Sequence, residues 1–447
     1  MIKLIIFKIM HAISSCFYLP QTLVSYNRNE DCTMRTIQED AQQIMKKALQ
    51  DAQPDQAVIS ALKKMPEVAG KIVLVAIGKA AWTMADAVAK QLGESLSKGI
   101  CITKYGHVKG DIPHVKCLEA GHPVPDQNSI FATKKAEKLV SDLLPDDLVI
   151  FCISGGGSAL FEDPIIPLPE LQDITSQLLA CGADIQEINI IRKHLSGVKA
   201  GRFGQLCQPA HVYAIILSDI IGDPLDAIAS GPAAVDPHTC QDAMAIVSKY
   251  HLTLSDDAIA ALQEETPKAL WNVETIVTGS VKQLCQSAEE ECKRLGYTPI
   301  YLTSSLDCEA REAGRFLSAI ARDHQNSPVS LAYVMGGETV VHLTGKGLGG
   351  RNQELALSAC EGLSGCHDTC LFSIGSDGTD GPSDAAGGMV DEHTAQLLQE
   401  KGISIPAILS DNDSYHALQA AGALIKTGPT GTNVNDLTVL LIRRNQR

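Results

Sequence analysis

Aromatic residues are scarce in this chain, at 4% of 447 residues, and positive charge is outweighed: 37 Lys and Arg face 52 Asp and Glu, a formal charge of −15. An acidic surface repels a phosphate backbone, which excludes nucleic acid as a partner. A local basic cleft would still admit an anionic metabolite. The 14 cysteines include no C-x-x-C pair and no histidine-rich segment of zinc-finger spacing, which excludes the common structural zinc sites. Cys101, Cys117 and Cys152 lie within aliphatic runs, where a free thiol behaves as a small apolar group. Reduced, buried thiols in the cytoplasm are therefore expected. Neither G-x-x-x-x-G-K-[ST] nor G-x-S-x-G occurs, so a Walker-type phosphate loop and a serine nucleophile elbow are both excluded.

A membrane-length apolar run is also missing. The opening MIKLIIFKIMHAISSCFYLP is apolar but broken by Lys3 and Lys8, and falls short of a span. It has no clear small-x-small cleavage site, and its first arginine is Arg28, which fits neither a secretory nor a transit peptide. Residues 1–33 are expected to lie outside the fold, either as an upstream start with Met34 as the working initiator or as a targeting extension.

What the chain does contain is glycine, 36 in all, and aliphatic runs that alternate with helical stretches. Thr36-Ile-Gln-Glu39 reads as a capping box, with Ile37, Ala41, Ile44, Met45 and Ala48 on one helical face. Pro54 suits the first turn of a second helix. Strands are expected at Ile72–Ile77, Leu148–Ile153, Val212–Leu217, Thr275–Val277, Thr298–Leu302, Val329–Val334 and Cys370–Ile374. Helical stretches such as Ala80–Ala89, Val281–Leu295 and Cys308–Arg322 separate them. Uninterrupted aliphatic strands imply burial on both faces, hence an α/β fold of mostly parallel, helix-covered sheets. A break near Glu264–Asn272 suggests two such layered domains, about 34–272 and 273–447.

In parallel α/β sheets ligands bind beyond the carboxyl ends of the strands, so the residues after each run carry the chemistry. Gly78-Lys79 follows the first run and opens a helix, where a lysine is tolerable if an anion sits beside it. Ser154-Gly155-Gly156-Gly157-Ser158 follows the second; three missing Cβ atoms let backbone amides approach a phosphate, unless the stretch is only a surface loop. Asp219, with Asp223 and Asp226, follows the third and suits Mg²⁺ or a general base, although turn chemistry alone would explain Gly222-Asp223-Pro224. Asp377 heads a Gly/Asp loop able to meet a metal, a ribose or a hydroxy-acid, or simply to be a solvated turn. Gly347–Gly350 open onto Arg351 at a helix start, a second anion site. Arg192 belongs to a cationic cluster that either faces solvent or takes a carboxylate. Asn433 lies in a loop dense in Thr, Asn and Gly. Together these loops point to phosphoryl transfer, in which positioning and charge neutralisation carry most of the catalysis.

GKAA at 78–81, GHPVPD at 121–126, SGGGSAL at 154–160, RKHLSGVKAG at 192–201, SDIIGDPLDAIASGP at 218–232, GGET at 336–339, GRNQE at 350–354, GSDGTDGPSDAAG at 375–387 and GPTGTNVNDL at 428–437 resemble the glycerate 2-kinases of the MOFRL type over roughly residues 36–440. The resemblance implies a Rossmann-like N-terminal domain, a MOFRL-type C-terminal domain and an active site in the cleft between them. It implies transfer of the ATP γ-phosphate to the 2-hydroxyl of D-glycerate, with ATP held by the Ser154–Ser158 loop. By the same resemblance Lys79 and Arg351 are catalytic, and both acting on one phosphate would require the cleft to close. Asp219 and Asp377 as base or Mg²⁺ ligands, and Arg192, Asp377 and Asn433 as substrate contacts, rest on position. A soluble monomer or homodimer is expected. Two rivals differ in class. A hydroxypyruvate reductase needs a dinucleotide site, yet the first strand is followed by GKAAW rather than G-x-G-x-x-G. A non-catalytic sugar-acid or nucleotide sensor would share the glycine loops without turnover. A chain begun at Met34 should be soluble and fully active in an ADP-release assay; loss of activity on that truncation would give the extension a role.

Overall fold

The computed structural model of the protein describes residues 35–444. The expectations for residues 1–33 and for Met34 lie outside the described residues. From Ile37 onward the chain forms one compact unit, built on two six-stranded sheets. The first holds β1 (Ile72–Ile77), β2 (Leu96–Lys104), β3 (Val115–Ala120), β4 (Leu148–Ile153), β5 (His211–Leu217) and β6 (Val273–Gly279) in the order β3-β2-β1-β4-β5-β6. Every neighbouring pair is parallel. All six residues of β1 and of β4 are buried, which explains their unbroken aliphatic sequence. On one face Val73, Val75 and Ile77 pack with Phe151, Phe161 and Phe203. On the other, Leu74 and Ala76 meet Met84, Val88 and Tyr213.

The second sheet holds β7 (Thr298–Leu306), β8 (Leu331–Gly337), β9 (Thr369–Gly375), β10 (Gly387–Asp391), β11 (Leu424–Ile425) and β12 (Asp436–Ile442), in the order β11-β10-β9-β12-β8-β7. Here the expectation of parallel pairing needs correcting. Only β7–β8 is parallel; β8–β12, β12–β9, β9–β10 and β10–β11 are antiparallel. Two of these reversals come from β12, which inserts between β8 and β9 in the reverse direction, and two from β10, which runs opposite to both β9 and β11. Helices still cover both faces, so the strands remain as apolar as parallel ones.

The join between the two halves also moves. β6, assigned by sequence to the second half, pairs with β5 and completes the first sheet. Conversely, the opening helix Ile37–Asp51 buries its predicted apolar face, including Ile44 and Ala48, against Val281, Leu284 and Phe372 of the second half. Asp40 on that helix accepts a hydrogen bond from the Tyr297 hydroxyl at 2.8 Å. The chain therefore starts in one half, builds the other and returns. Among the described residues no helix is long and apolar enough to cross a membrane, and Cys101 and Cys152 are free and buried.

One buried ion pair positions the loops near the triple glycine. Lys199 Nζ lies 2.5 Å from Glu162 Oε2, both side chains being fully buried, and also donates to the Phe161 carbonyl at 3.2 Å. Burial, partly offset by Glu162, pushes the Lys199 ammonium down to about 8. Breaking such a pair from one side leaves an uncompensated buried charge. Lys199→Met should therefore cost about 3–5 kcal/mol in urea unfolding, and the double variant with Glu162→Leu should recover most of it. A single variant of wild-type stability would show that the pair braces nothing.

Candidate active site

In the order β3-β2-β1-β4-β5-β6 the chain winds outward in opposite directions from β1 and β4, and the crevice at that switch point is where α/β sheets take ligands. The two loops leaving it are tied together. Gly78 has φ +109° and lies so close to Ser154 that a Cβ there would sit 2.3 Å from the Ser154 carbonyl oxygen. The Ser154 hydroxyl donates to the Ile77 carbonyl and accepts from the Ala80 N–H, both at 3.1 Å. The Lys79 N–H donates to the Gly155 carbonyl at 2.9 Å. Ser154 is thus a brace between loops, and its hydroxyl is engaged rather than offered to a phosphate. The glycines divide the remaining work. Gly155 faces the crevice; Gly156, at φ +85°, opens the short helix Gly157–Leu160; Gly157 lets that helix pack, since a Cβ there would lie 2.6 Å from Ala229 Cβ. The Ser158 and Ser230 hydroxyls share a 2.9 Å hydrogen bond.

A cavity of about 440 Å³ opens on these loops and continues to those of the second sheet. Lys79, Ser154, Gly155 and Asp219 line it from the first sheet; Asp377, Thr432 and Asn433 line it from the second. Lys79 and Gly155, the first glycine of the triple, therefore share one space. The Asp219 carboxylate packs on Gly155, where a Cβ would meet its Oδ2 at 2.3 Å. Burial raises the Asp219 carboxyl above the ordinary carboxylate range; Lys79 draws it back and Glu338 adds to the rise. His122 stands over Gly156, 3.1 Å from the position of an added Cβ, with Lys79 Cγ at 3.2 Å from the same point. Burial, then the charges of Lys79, Lys104 and His107, hold its imidazole below the usual range.

Two predicted arginines do not line this cavity. Arg351 opens the helix Arg351–Leu363, but its Nε and Nη2 donate to Asp436 at 2.6 and 3.0 Å and its Nη1 to Glu338 at 3.0 Å. Burial opposes its charge, yet Asp436 and Glu338 hold it above its ordinary range. The anion expected at that helix start is the protein's own: Asp380 accepts from the Asn352 and Gln353 N–H groups at 3.1 and 2.9 Å. Arg192 donates to the Ser158 carbonyl at 3.1 Å, securing the short helix. Its neighbour Lys193 is buried, bonded to Asp226 at 2.7 Å and Asp236 at 3.2 Å, so the cationic cluster is not a solvated face. Among the described residues the group with metal-ligand spacing is Asp226, Asp236 and His238, which includes neither Asp219 nor Asp377, and the Lys193 ammonium already compensates its charge.

Several lining residues escaped the sequence reading: Pro54, Trp82, Thr83, His107 and Lys109; His122, which stands over Gly156, escaped it as well. Trp82 had an available signal, because it follows Lys79 within the first turn of the helix Ala81–Leu92.

The chain is similar to known proteins over nearly its whole length. Residues 40–263 match the family described as a domain of unknown function, DUF4147, and residues 331–436 match the MOFRL family. A D-glycerate 2-kinase of Thermotoga maritima is 49% identical over 406 residues, covering 90% of this chain and 97% of that protein. A glycerate 2-kinase of Pyrococcus horikoshii is 38% identical, covering 91% and 97%. A crystal structure of Thermotoga maritima glycerate kinase superposes with a TM-score of 0.87, covering 91% of this chain and 99% of that one. On this similarity over nearly its full length, the chain belongs to the MOFRL-type glycerate 2-kinase family.

Proposed function

We propose that this chain transfers the γ-phosphoryl group of ATP to the 2-hydroxyl of D-glycerate, giving 2-phosphoglycerate and ADP. The observation that carries the proposal is the single cavity in which Lys79 and Gly155 of one sheet meet Asp377 and Asn433 of the other. Phosphoryl transfer needs its charge neutralised and its partners held in line. Lys79, exposed at the mouth of a helix N-terminus, is placed to neutralise the moving phosphoryl group. Gly155 lines the cavity, and its missing Cβ lets the Asp219 carboxylate pack against the loop beside Lys79. Asp219 accepts the proton of the attacking hydroxyl. Its raised pKa brings its basicity nearer the operating pH, as a general base requires. Asn433 offers hydrogen bonds to the acid's polar groups.

Arg351 has a role compatible with its pairing. Asp436 holds one side of the guanidinium, while Nη1 rests on the half-exposed Glu338. A substrate phosphate or carboxylate that replaces Glu338 would gain Arg351 without moving its anchor. The donors fit Mg²⁺ as well, since that ion is usually held by one or two carboxylates together with substrate phosphates. The Asp377 carboxylate would hold it, and the ion would supply further neutralisation of the phosphates. We place the enzyme in the cytoplasm, where its free thiols stay reduced.

The direct test is ADP release with D-glycerate and Mg-ATP, with the product position read by ³¹P NMR. 2-Phosphoglycerate is expected; NADH consumption with hydroxypyruvate and no ADP would overturn the proposal. Lys79→Ala should lower kcat by about 10²–10³-fold with an unchanged unfolding midpoint, and near-normal kcat would remove Lys79 from the reaction. The base assignment predicts a pH profile. Asp219 works deprotonated and its pKa is raised, so kcat/KM should fall with decreasing pH at values above the ordinary carboxylate range, about 3.9. Asp219→Asn should lower kcat by about 10²–10⁴-fold and abolish that acid limb; an unaltered limb in residual activity would refute the assignment.

A further inference from the structure

A three-carbon acid and the terminal phosphates occupy only part of a cavity of about 440 Å³, which falls within the range of pockets for drug-sized ligands, roughly 300–1,000 Å³. Part of the lining differs in character from Lys79 and Asp219. Pro54, Trp82, Thr83 and Lys109 also line the cavity, and they combine a flat aromatic ring and an apolar proline with two polar groups. Trp82 is half-buried and held in orientation, because its indole N–H donates to the Gly110 carbonyl at 2.9 Å. Lys109 Nζ lies over the ring, 5.7 Å from its centre, so one indole face already carries positive charge and a ligand would stack on the other or in place of the ammonium. Neither D-glycerate nor a phosphate has a use for an indole face.

We infer that the Trp82 end of the cavity seats the purine base of the nucleotide, with Trp82 as the stacking surface. The inference rests on the kinase reading above. Lys79 and Trp82 lie on either side of the start of the helix Ala81–Leu92, whose N-cap Ala80 supplies no side-chain hydrogen bond. One helix start therefore presents a phosphate-compatible end, at Lys79, and a base-compatible surface three residues later. A nucleotide laid along it would have its phosphates at Gly155 and Lys79 and its base on Trp82. Every base has a π-face, so stacking gives affinity with little discrimination among bases. Thr83 is the nearby side chain able to hydrogen-bond a base edge.

The chain has two tryptophans, Trp82 and Trp271, and Trp271 is 65% exposed just before β6, at the opposite end of the first sheet from the cavity. Trp271→Phe therefore leaves Trp82 as the sole reporter in the full-length protein. Titration with ADP should give a saturable change in its emission, matching the binding curve from calorimetry, whereas D-glycerate alone should leave it unchanged. In parallel, Trp82→Leu should raise KM for ATP by about tenfold or more, the scale of one lost base–aromatic stack, with KM for D-glycerate within about twofold. Trp82→Phe should restore most of the ATP affinity. ADP binding by calorimetry without an emission change would overturn the seat and leave the kinase reading intact. An emission change with D-glycerate and none with ADP would assign this end to the acid and also overturn it. Absence of ADP binding in calorimetry would sink the kinase reading, and the seat with it.

Discussion

The site depends on the Ser154 hydroxyl, which bridges the Ile77 carbonyl and the Ala80 N–H. Two parallel strands leave a sheet about 4.8 Å apart, and their loops would normally splay into solvent. Here the second loop is drawn back onto the first. Gly78 permits the approach because it has no Cβ to strike Ser154, and the Lys79 N–H completes the tie through the Gly155 carbonyl. The backbones of Lys79 and Gly155 are consequently fixed relative to each other. Preorganisation of that kind is what electrostatic catalysis requires, since the charges need not reorganise during the reaction.

Charge is arranged around this knot in layers. Lys79 and Lys109 bring positive charge to the cavity of an otherwise acidic protein. Behind them, carboxylates hold the cations that are not free: Asp436 and Glu338 on Arg351, Asp226 and Asp236 on Lys193, Glu162 on Lys199. These partners cost desolvation when buried, so the network is better read as positioning than as net stability. Glu338 links the halves: it touches Arg351 in the second and raises the Asp219 carboxyl of the first.

Much of this was legible in the sequence, for identifiable reasons. β1, β4 and β5 are buried on both faces, and their unbroken aliphatic runs gave their positions away. β2 was missed because Ser97, Lys98 and Gly99 interrupt it, Ser97 and Lys98 being exposed. β3 was missed because it is an edge strand with only Ala120 buried. Strand direction in the second sheet was not readable, since helix cover makes antiparallel strands as apolar as parallel ones. Lys79, Gly155, Asp219, Asp377 and Asn433 reached the cavity because each follows or flanks a strand end. Arg351 satisfied the same local pattern, yet its guanidinium is held by a carboxylate 85 residues away. No local pattern contains that partner.

The most direct test of the account is diffraction from crystals grown with a non-hydrolysable ATP analogue and D-glycerate. The terminal phosphate should contact Lys79 and the Gly155 backbone, with the 2-hydroxyl of the acid between it and Asp219. Triphosphate density elsewhere on the molecule, with the crevice between β1 and β4 empty, would contradict it.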